Sequence, residues 1–352
     1  MTHGAPVAPG AIGPRIAALV PLDRPLLVLA PMQEVTDLAF WKVIADYGAP
    51  DLLVTEYFRV HADSRPERHI LRSIRENPCG VPVLAQMIGR DVPALVRTAA
   101  RLQREAIAGI DLNLGCPAPQ VCNKEAGGGL LRQPGQIDAI LRALRDTVAM
   151  NLTAKTRVGF DEPGQFAPVL DVLCHHRLDA VAVHARTVRE MYSAVAHYDL
   201  IALASGRLDC PVIANGNVSS ARAARAVVAA TGCRGLMIGR GAIRNPWIFR
   251  EIRDAWSGAT AGRPTLADVR DYIGRLHRTA CDPGAPESAR LGRLKKLLNF
   301  ILPGIEPSGE LVRRARAAAS ERDLFLACDE FLISQSPFDA EARRGTPCEA
   351  LV

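Results

Sequence analysis

Only five of the 43 basic residues in this chain are lysines, at positions 42, 124, 155, 295 and 296, so each lysine departs from an arginine habit. Lys155 stands alone between positions 124 and 295, inside the run LTAKTR at 152–157. If that run is a strand, alternation puts Lys155 and Arg157 on one face and turns Thr156 the other way. Two cations at the mouth of a fold could serve a cofactor or an anionic intermediate; a strand-end lysine reaching for solvent along its own stem is the plainer alternative. Cys116 lies in NLGCP (113–117), on a turn constrained by Pro117. A cysteine thiol of ordinary acidity is largely protonated at neutral pH and can give up a proton. Cys79, Cys174, Cys210, Cys233 and Cys281 read instead as small buried hydrophobes, and Cys122 is close enough to complicate thiol labelling. Asn215-Gly216-Asn217 and Gly239-Arg240-Gly241 form small turns through which backbone N–H groups can approach a phosphate, with Arg240 to neutralise it. Tight turns with no ligand are the structural alternative. His184 ends another apolar run and gains weight from its company rather than alone.

Groups this scattered in sequence need a frame to gather them. Short apolar, β-branched runs start near Leu26, Leu52, Val83, Ile110, Leu152, Ala180, Val212 and Gly235, at intervals of 23 to 42 residues. Each interval is long enough for a crossover helix, as parallel strands require. Eight such units predict a (β/α)8 barrel, a TIM barrel, over residues 24–256. An open doubly wound sheet would more often carry a G-x-G-x-x-G turn after its first strand, where this chain has Ala30-Pro31-Met32. Barrels of this kind gather functional groups at the C-terminal strand ends and bind phosphates at the loops after strands seven and eight. Beyond Trp256 the strand pattern stops. A linker at 257–264 leads to helical stretches at 265–280, 287–302 and 309–333, with Pro303-Gly304 between the last two. This predicts an all-helical domain over 265–340, followed by a loose tail at 341–352; residues 1–23 form an N-terminal extension.

Composition narrows the function. Hydrophobic residues make up 48% of the 352 and charged residues 23%, as in a folded globular protein rather than a disordered or fibrous one. No apolar run approaches the length of a membrane span. The nine cysteines are odd in number, scattered and without a C-x-x-C pair, which speaks against a zinc ribbon and a disulfide framework and for reduced thiols in the cytoplasm. No H-E-x-x-H, Walker A or G-x-S-x-G motif is present, no metal is expected, and nothing demands more than a monomer. The net charge of +6 permits an anionic partner. Ten basic against five acidic residues from Arg270 to Arg316 give the helical region a local excess. That excess fits a nucleic-acid-facing patch or a solvated helix surface.

The set APMQEVTD (30–37), VTE (54–56), DLNLGCP (111–117), KTRVG (155–159), VHART (183–187), VIANGN (212–217) and MIGRG (237–241) resembles the tRNA-dihydrouridine synthases, in order and spacing from about Leu26 to about Leu332. The resemblance implies an FMN-dependent enzyme that reduces the C5–C6 double bond of particular uridines in tRNA, with NADPH as electron source. By position, it implies that Pro31, Met32 and Gln33 lie against the flavin, that Gln86 bonds its edge, and that Lys155 faces its N1/C2 side. His184 would flank the ring, and Asn215, Gly216, Asn217, Gly239 and Arg240 would hold the ribityl phosphate. Cys116 would be the general acid, and Asn113, Arg157 and Tyr192 would contact the target uracil. Extruding that uracil costs stacking energy that contacts to the tRNA backbone can offset, so Arg290, Arg293, Lys295 and Lys296 are expected to touch tRNA. Asn217 stands where many relatives have Asp, and the segment after the Cys116 turn reads KEAGGGLL. The run TEYFRV (55–60) leans toward the subfamily acting on uridine 16. Two other readings remain: an FMN-dependent small-molecule ene-reductase on the same barrel, and a catalytically silent RNA-binding descendant. Intact Cys116, Lys155 and His184 argue against the second.

Overall fold

In the computed structural model the described residues are 15–193, 195–259, 262–334 and 336–341. The expected extension at 1–23 is therefore described only from residue 15 onward, and the expected tail lies outside apart from Glu341.

The apolar runs form eight strands: β1 (Leu26–Leu29), β2 (Leu52–Val54), β3 (Val83–Ile88), β4 (Gly109–Leu114), β5 (Asn151–Arg157), β6 (Ala180–His184), β7 (Val212–Asn215) and β8 (Gly235–Ile238). Each pairs in parallel with the next. The last returns to the first, with Leu26 beside Gly235 and Leu29 beside Ile238, so the sheet closes into a barrel. A two-residue strand, Phe58–Arg59, adds to the end of β3. At least one helix separates each strand from the next in the chain. The crossover helix Val92–Leu102 starts where Asp91 accepts a 2.8 Å bond from the Ala94 N–H, satisfying an otherwise orphaned donor. No helix among the described residues is long and apolar enough to cross a membrane.

Inside the barrel, Val28, Val54, Leu84, Ala182, Ile213 and Met237 pack around two polar residues, Asp111 and Thr153, which bond each other at 2.5 Å. Residues 15–19 account for part of the N-terminal extension. Ile16, in the short helix Ile16–Leu19, is fully buried in the same core. Its N–H donates to Asn151 Oδ1 at 3.1 Å, and Asn151 Nδ2 donates to the Ala108 carbonyl at 2.7 Å. Arg15 pairs with Asp179 at 2.8 Å. Ile16 thus caps the end of the core where β5 begins.

The chain divides into two compact units. Among the described residues, one contains everything to Leu38, Pro50–Val218 and Arg222–Gly239; the other contains Ala39–Ala49, Ser219–Ala221 and everything from Arg240. The last residue of the barrel unit is Gly239, and residues 240–256 fall in the second unit. Residues 240–256 group with the helices because their side chains are used there. Tyr47, Trp247 and Tyr272 meet edge to face, with ring centroids 5.2 to 6.1 Å apart, and the Tyr272 hydroxyl donates to the Ile243 carbonyl at 2.8 Å. Fully buried Arg244 donates to the carbonyls of Ala340, Ile301 and Pro303.

The predicted helices at 265–280 and 287–302 appear as Leu266–Ala280 and Glu287–Ile301. The predicted stretch at 309–333 is two helices, Glu310–Ala317 and Glu321–Leu332. Ala318 is non-helical, and Ser320 starts the second helix by accepting from the Asp323 N–H at 3.1 Å.

Replacing Ile16 with Ala should destabilise the barrel by about 3 kcal/mol, the usual cost of cutting a large aliphatic side chain from a core. Urea denaturation of purified protein measures this, and an unchanged midpoint would show that the segment before β1 contributes nothing to the core.

Candidate active site

Two residues beyond each core position lie the groups that can do chemistry. Alternation carries Leu84 to Gln86, Asp111 to Asn113, Thr153 to Lys155, Ala182 to His184 and Ile213 to Asn215, all still within their strands. The strand register sets Asn113 beside Lys155, Arg157 beside His184 and His184 beside Asn215. Five residues predicted from separate motifs therefore form one ring at the C-terminal mouth. Lys155 is half-buried, and every other residue of β5 is buried.

A chain of hydrogen bonds rises from the core into this ring. Gln86 Nε2 donates to Asp111 Oδ2 at 2.8 Å, and Asn113 Nδ2 donates to Gln86 Oε1 at 2.8 Å. Asn113 Oδ1 then accepts from the N–H groups of Gly115 at 3.0 Å and Cys116 at 2.9 Å. Gln86 and Asn113, expected to point their amides at ligands, use them largely on each other and on the Cys116 turn. One further N–H of each amide remains for a ligand. Arg157, expected at the uracil, is 2% exposed and ties loops together. It donates to the carbonyls of Gly115, Thr187 and Met191, each at 2.9 Å, and its guanidinium lies 5.3 Å from the Tyr192 ring centre. Tyr192 also meets His184 edge to face at 6.2 Å and is itself exposed.

The GGG run at 127–129 packs on the Cys116 turn. The Gly128 N–H donates to the Cys116 carbonyl at 3.0 Å, and a Cβ at Gly128 would fall 2.8 Å from that oxygen and 2.6 Å from Val188 Cγ2. Cys122, from the short helix Pro119–Cys122, points its Sγ at the same carbonyl at 3.4 Å.

Electrostatically the mouth is cationic over a buried carboxyl. Burial and the neighbouring Arg157 push the Lys155 ammonium down to about 8, against the pull of Asp111 and Cys116. Burial raises the Asp111 carboxyl, opposed by its bonds to Thr153 and Gln86 and by Lys155. The two groups attract, but desolvation outweighs that attraction for each.

At the ends of β7 and β8 lie the glycines Gly216 and Gly239. Gly216 has a φ of +134°, strained for any L side chain, and its carbonyl accepts from the Tyr198 hydroxyl at 3.2 Å. Asn217 sits at φ +52°, a conformation asparagine tolerates, and accepts from Arg186 Nη2 at 3.2 Å. Asn215 Nδ2 donates to the Met237 carbonyl at 2.7 Å. A Cβ at Gly239 would lie 3.0 Å from Met32 Sδ, so the end of β8 and the segment after β1 approach closely. In that segment Thr36 Oγ1 accepts from the Met32 N–H at 2.8 Å and donates to the Ala30 carbonyl at 3.1 Å. The buried Gln33 Oε1 has no hydrogen-bond partner among the described residues. Arg240 opens the helix Arg240–Arg244 in the second unit.

Two of the basic residues of the helical unit bond within it. Arg290 grips Glu321 with two bonds of 2.9 and 2.8 Å and donates to the Ala285 carbonyl, holding the Glu321 carboxyl down to about 2 with help from His277. Lys295 donates to the carbonyls of Arg316 and Ala318 at 2.8 and 2.5 Å, closing the end of the helix Glu310–Ala317. Arg293 and Lys296 are half-buried on the same helix.

Asp111, Thr153 and Tyr57 went unassigned from sequence. Asp111 was legible in principle, two residues before Asn113 on the same strand face. Tyr57 is an electrostatic neighbour of Cys116, which spacing does not encode.

The family model described as "Dihydrouridine synthase (Dus)" matches residues 28–279. A tRNA-dihydrouridine(16) synthase of Neisseria meningitidis is 29% identical, over 84% of this chain and 91% of its own. One of the same name from Cupriavidus necator is 34% identical over 71% of this chain and 81% of its own. A tRNA-dihydrouridine synthase B of Pseudomonas putida is 39% identical over 71% and 76%. Among solved structures, histamine dehydrogenase from Rhizobium sp. 4-9 shares the fold with a TM-score of 0.51 and 12% identity, covering 72% of this chain and 49% of its own.

Because its folded value lies near 8, Lys155 is half deprotonated there, charged below and neutral above. Site-resolved acylation with an amine-selective reagent should therefore label Lys155 with a midpoint about two pH units below the ordinary lysines. A midpoint shared with Lys124 would contradict the burial described here.

Proposed function

The chain belongs to the dihydrouridine synthase family, and we propose that its barrel mouth binds FMN and reduces the C5–C6 double bond of particular tRNA uridines, with NADPH as the electron source. The observation that carries this reading is the ring of Gln86, Asn113, Lys155, His184 and Asn215 one layer above the core, with Cys116 held at its edge.

The residues fit a flavin mononucleotide. Gln33 keeps a buried acceptor oxygen without a protein partner, as a ring N–H would require. Gly239 leaves room where a side chain would meet Met32, so Pro31, Met32 and Gln33 can line one side of a flat ring. Asn215, Gly216, Asn217 and Gly239, with Arg240 next in the chain, would hold the phosphate through backbone N–H groups and a guanidinium. Bound there, FMN would supply the redox chemistry, a two-electron transfer from NADPH to the uracil ring. The protein supplies the rest. Lys155, as a cation, offsets negative charge at the ring edge, and His184 flanks it. Cys116 gives a proton to uracil C5, its turn fixed by Asn113. Arg157 orders the loop that carries Tyr192, which offers an exposed ring to an extruded base.

Uridine 16 is the position we assign, from TEYFRV at 55–60 and from the two relatives named for that position. Arg290, Arg293, Lys295 and Lys296 remain the proposed tRNA contacts on their helix. A tRNA substrate places the enzyme in the cytoplasm, and one barrel per active site suffices for a monomer.

Purified protein with FMN, NADPH and unmodified tRNA should yield dihydrouridine, measured by mass spectrometry of nucleosides. Cys116→Ala should lower the yield about 100-fold or more. Mapping should find the product at position 16. Bound yellow flavin with no product from either protein would favour a small-molecule ene-reductase.

The cation at Lys155 is lost as pH rises through about 8. Turnover by the wild type should therefore fall above that pH, and Lys155→Met should be slow at every pH with no such step. A wild-type profile flat from pH 7 to 9 would remove the charge of Lys155 from the mechanism.

A further inference from the structure

Asp111 lies one layer below the ring at the mouth, and its bonds decide what that ring can recognise. Asp111, Thr153, Gln86 and Asn113 are all buried, so each polar atom needs a partner of the opposite kind. Asp111 Oδ2 faces Gln86 Nε2 at 2.8 Å, and Oδ1 faces Thr153 Oγ1 at 2.5 Å. An amide nitrogen cannot accept, so Oδ2 is an acceptor whether the carboxyl is charged or neutral. A proton on this group has its place on Oδ1, toward the Thr153 hydroxyl. That hydroxyl has a second partner in the Ile110 carbonyl at 3.5 Å.

The direction of each bond above follows. Gln86 turns Nε2 down, and its Oε1 takes the Asn113 N–H at 2.8 Å. Its backbone is held too, the N–H donating to Thr55 Oγ1 at 3.0 Å. Asn113 Oδ1 then accepts from Gly115 and Cys116, two backbone amides that can only donate. The chain runs one way, from two donors at the Cys116 turn to one acceptor in the core.

Both lone pairs of Asn113 Oδ1 are taken, while one N–H of its amide is left over. Asn113 therefore offers a ligand a donor and no acceptor. It is also bonded to the backbone of Cys116, whose thiol serves C5 in the function proposed above. The base group nearest that N–H is then the one on the adjoining carbon, C4. In uracil this group is a carbonyl, which accepts. In cytosine it is an amino group, which would set N–H against N–H.

Resting on that function, we propose that Asp111 is a positioning residue that makes the site take uridine and refuse cytidine. It does so without touching the base, by fixing which end of the Asn113 amide faces it. The same N–H stabilises negative charge that builds on the C4 oxygen during reduction.

Two substitutions separate this role from mere support of the core. Asp111→Asn keeps the polarity, its oxygen taking the place of Oδ2 and its nitrogen donating to Thr153 Oγ1. Asp111→Val removes the acceptor and leaves Gln86 Nε2 buried and unpaired. Turning that amide over only moves the conflict up to Asn113. Backbone hydrogen exchange, resolved by residue on purified protein with FMN, reads the first effect. Gly115 and Cys116 should exchange about tenfold faster in Asp111→Val and at the wild-type rate in Asp111→Asn. The ratio of kcat/KM for tRNAs carrying uridine or cytidine at the reduced position reads the second. It should fall about tenfold or more in Asp111→Val and hold in Asp111→Asn. Gln86→Met cuts the chain one link higher with the carboxyl in place, and should show both changes if Asp111→Val does not fold. Unchanged exchange at Gly115 and Cys116 in a folded Asp111→Val or Gln86→Met protein would overturn the proposal. So would a uridine preference that survives altered exchange, or one lost equally in Asp111→Asn. The expected exchange in a protein that forms no dihydrouridine would uphold the chain from Asp111 and overturn the function on which the base preference rests.

Discussion

A carboxyl group buried in an apolar core must be hydrogen-bonded, or the fold bears a cost of several kcal/mol. Asp111 meets that requirement through Thr153 and Gln86, and the rest of the site follows from it. Gln86, once oriented by Asp111, presents its carbonyl oxygen to Asn113, and Asn113 presents its own to the amides of Gly115 and Cys116. The conformation of the reactive turn is thus set from within the barrel, by groups packed too tightly to reorient. The same carboxyl lies beneath Lys155 and attracts a cation that burial disfavours. A single interior acid therefore influences both the geometry of the thiol's turn and the electrostatics of the mouth.

The strands were legible because parallel, doubly covered strands are short continuous apolar runs, and their starts read to within a residue. The strand-end polar groups followed from the barrel rule. What spacing could not convey was how those groups are shared among one another. Gln86, Asn113 and Arg157 were matched to ligands, yet each makes bonds inside the protein that only the folded register brings within reach. The missed helix break was different in kind: Ser320 followed by Asp323 is a capping signal present in the sequence, hidden by reading 309–333 as one amphipathic stretch.

Counting charge in the helical unit leaves pairing out for a related reason. An excess of basic residues says nothing about which carboxylates or carbonyls lie opposite them. Arg290 finds Glu321, 31 positions away, and Lys295 finds the open end of a helix. These contacts help keep the unit together.

The pairing of the first strand with the last has a temporal consequence. During synthesis β1 leaves the ribosome early, with Ile16 just ahead of it, but neither can reach its final neighbours until Asn151 and then Gly235–Ile238 have been made. Until that moment the barrel is an open sheet with two apolar edges, and closing it joins the most distant contacts in the catalytic unit, the kind that form slowly. The growing chain must therefore carry unpaired strand edges through most of its translation, which makes the nascent barrel a natural client for chaperones that cover such edges.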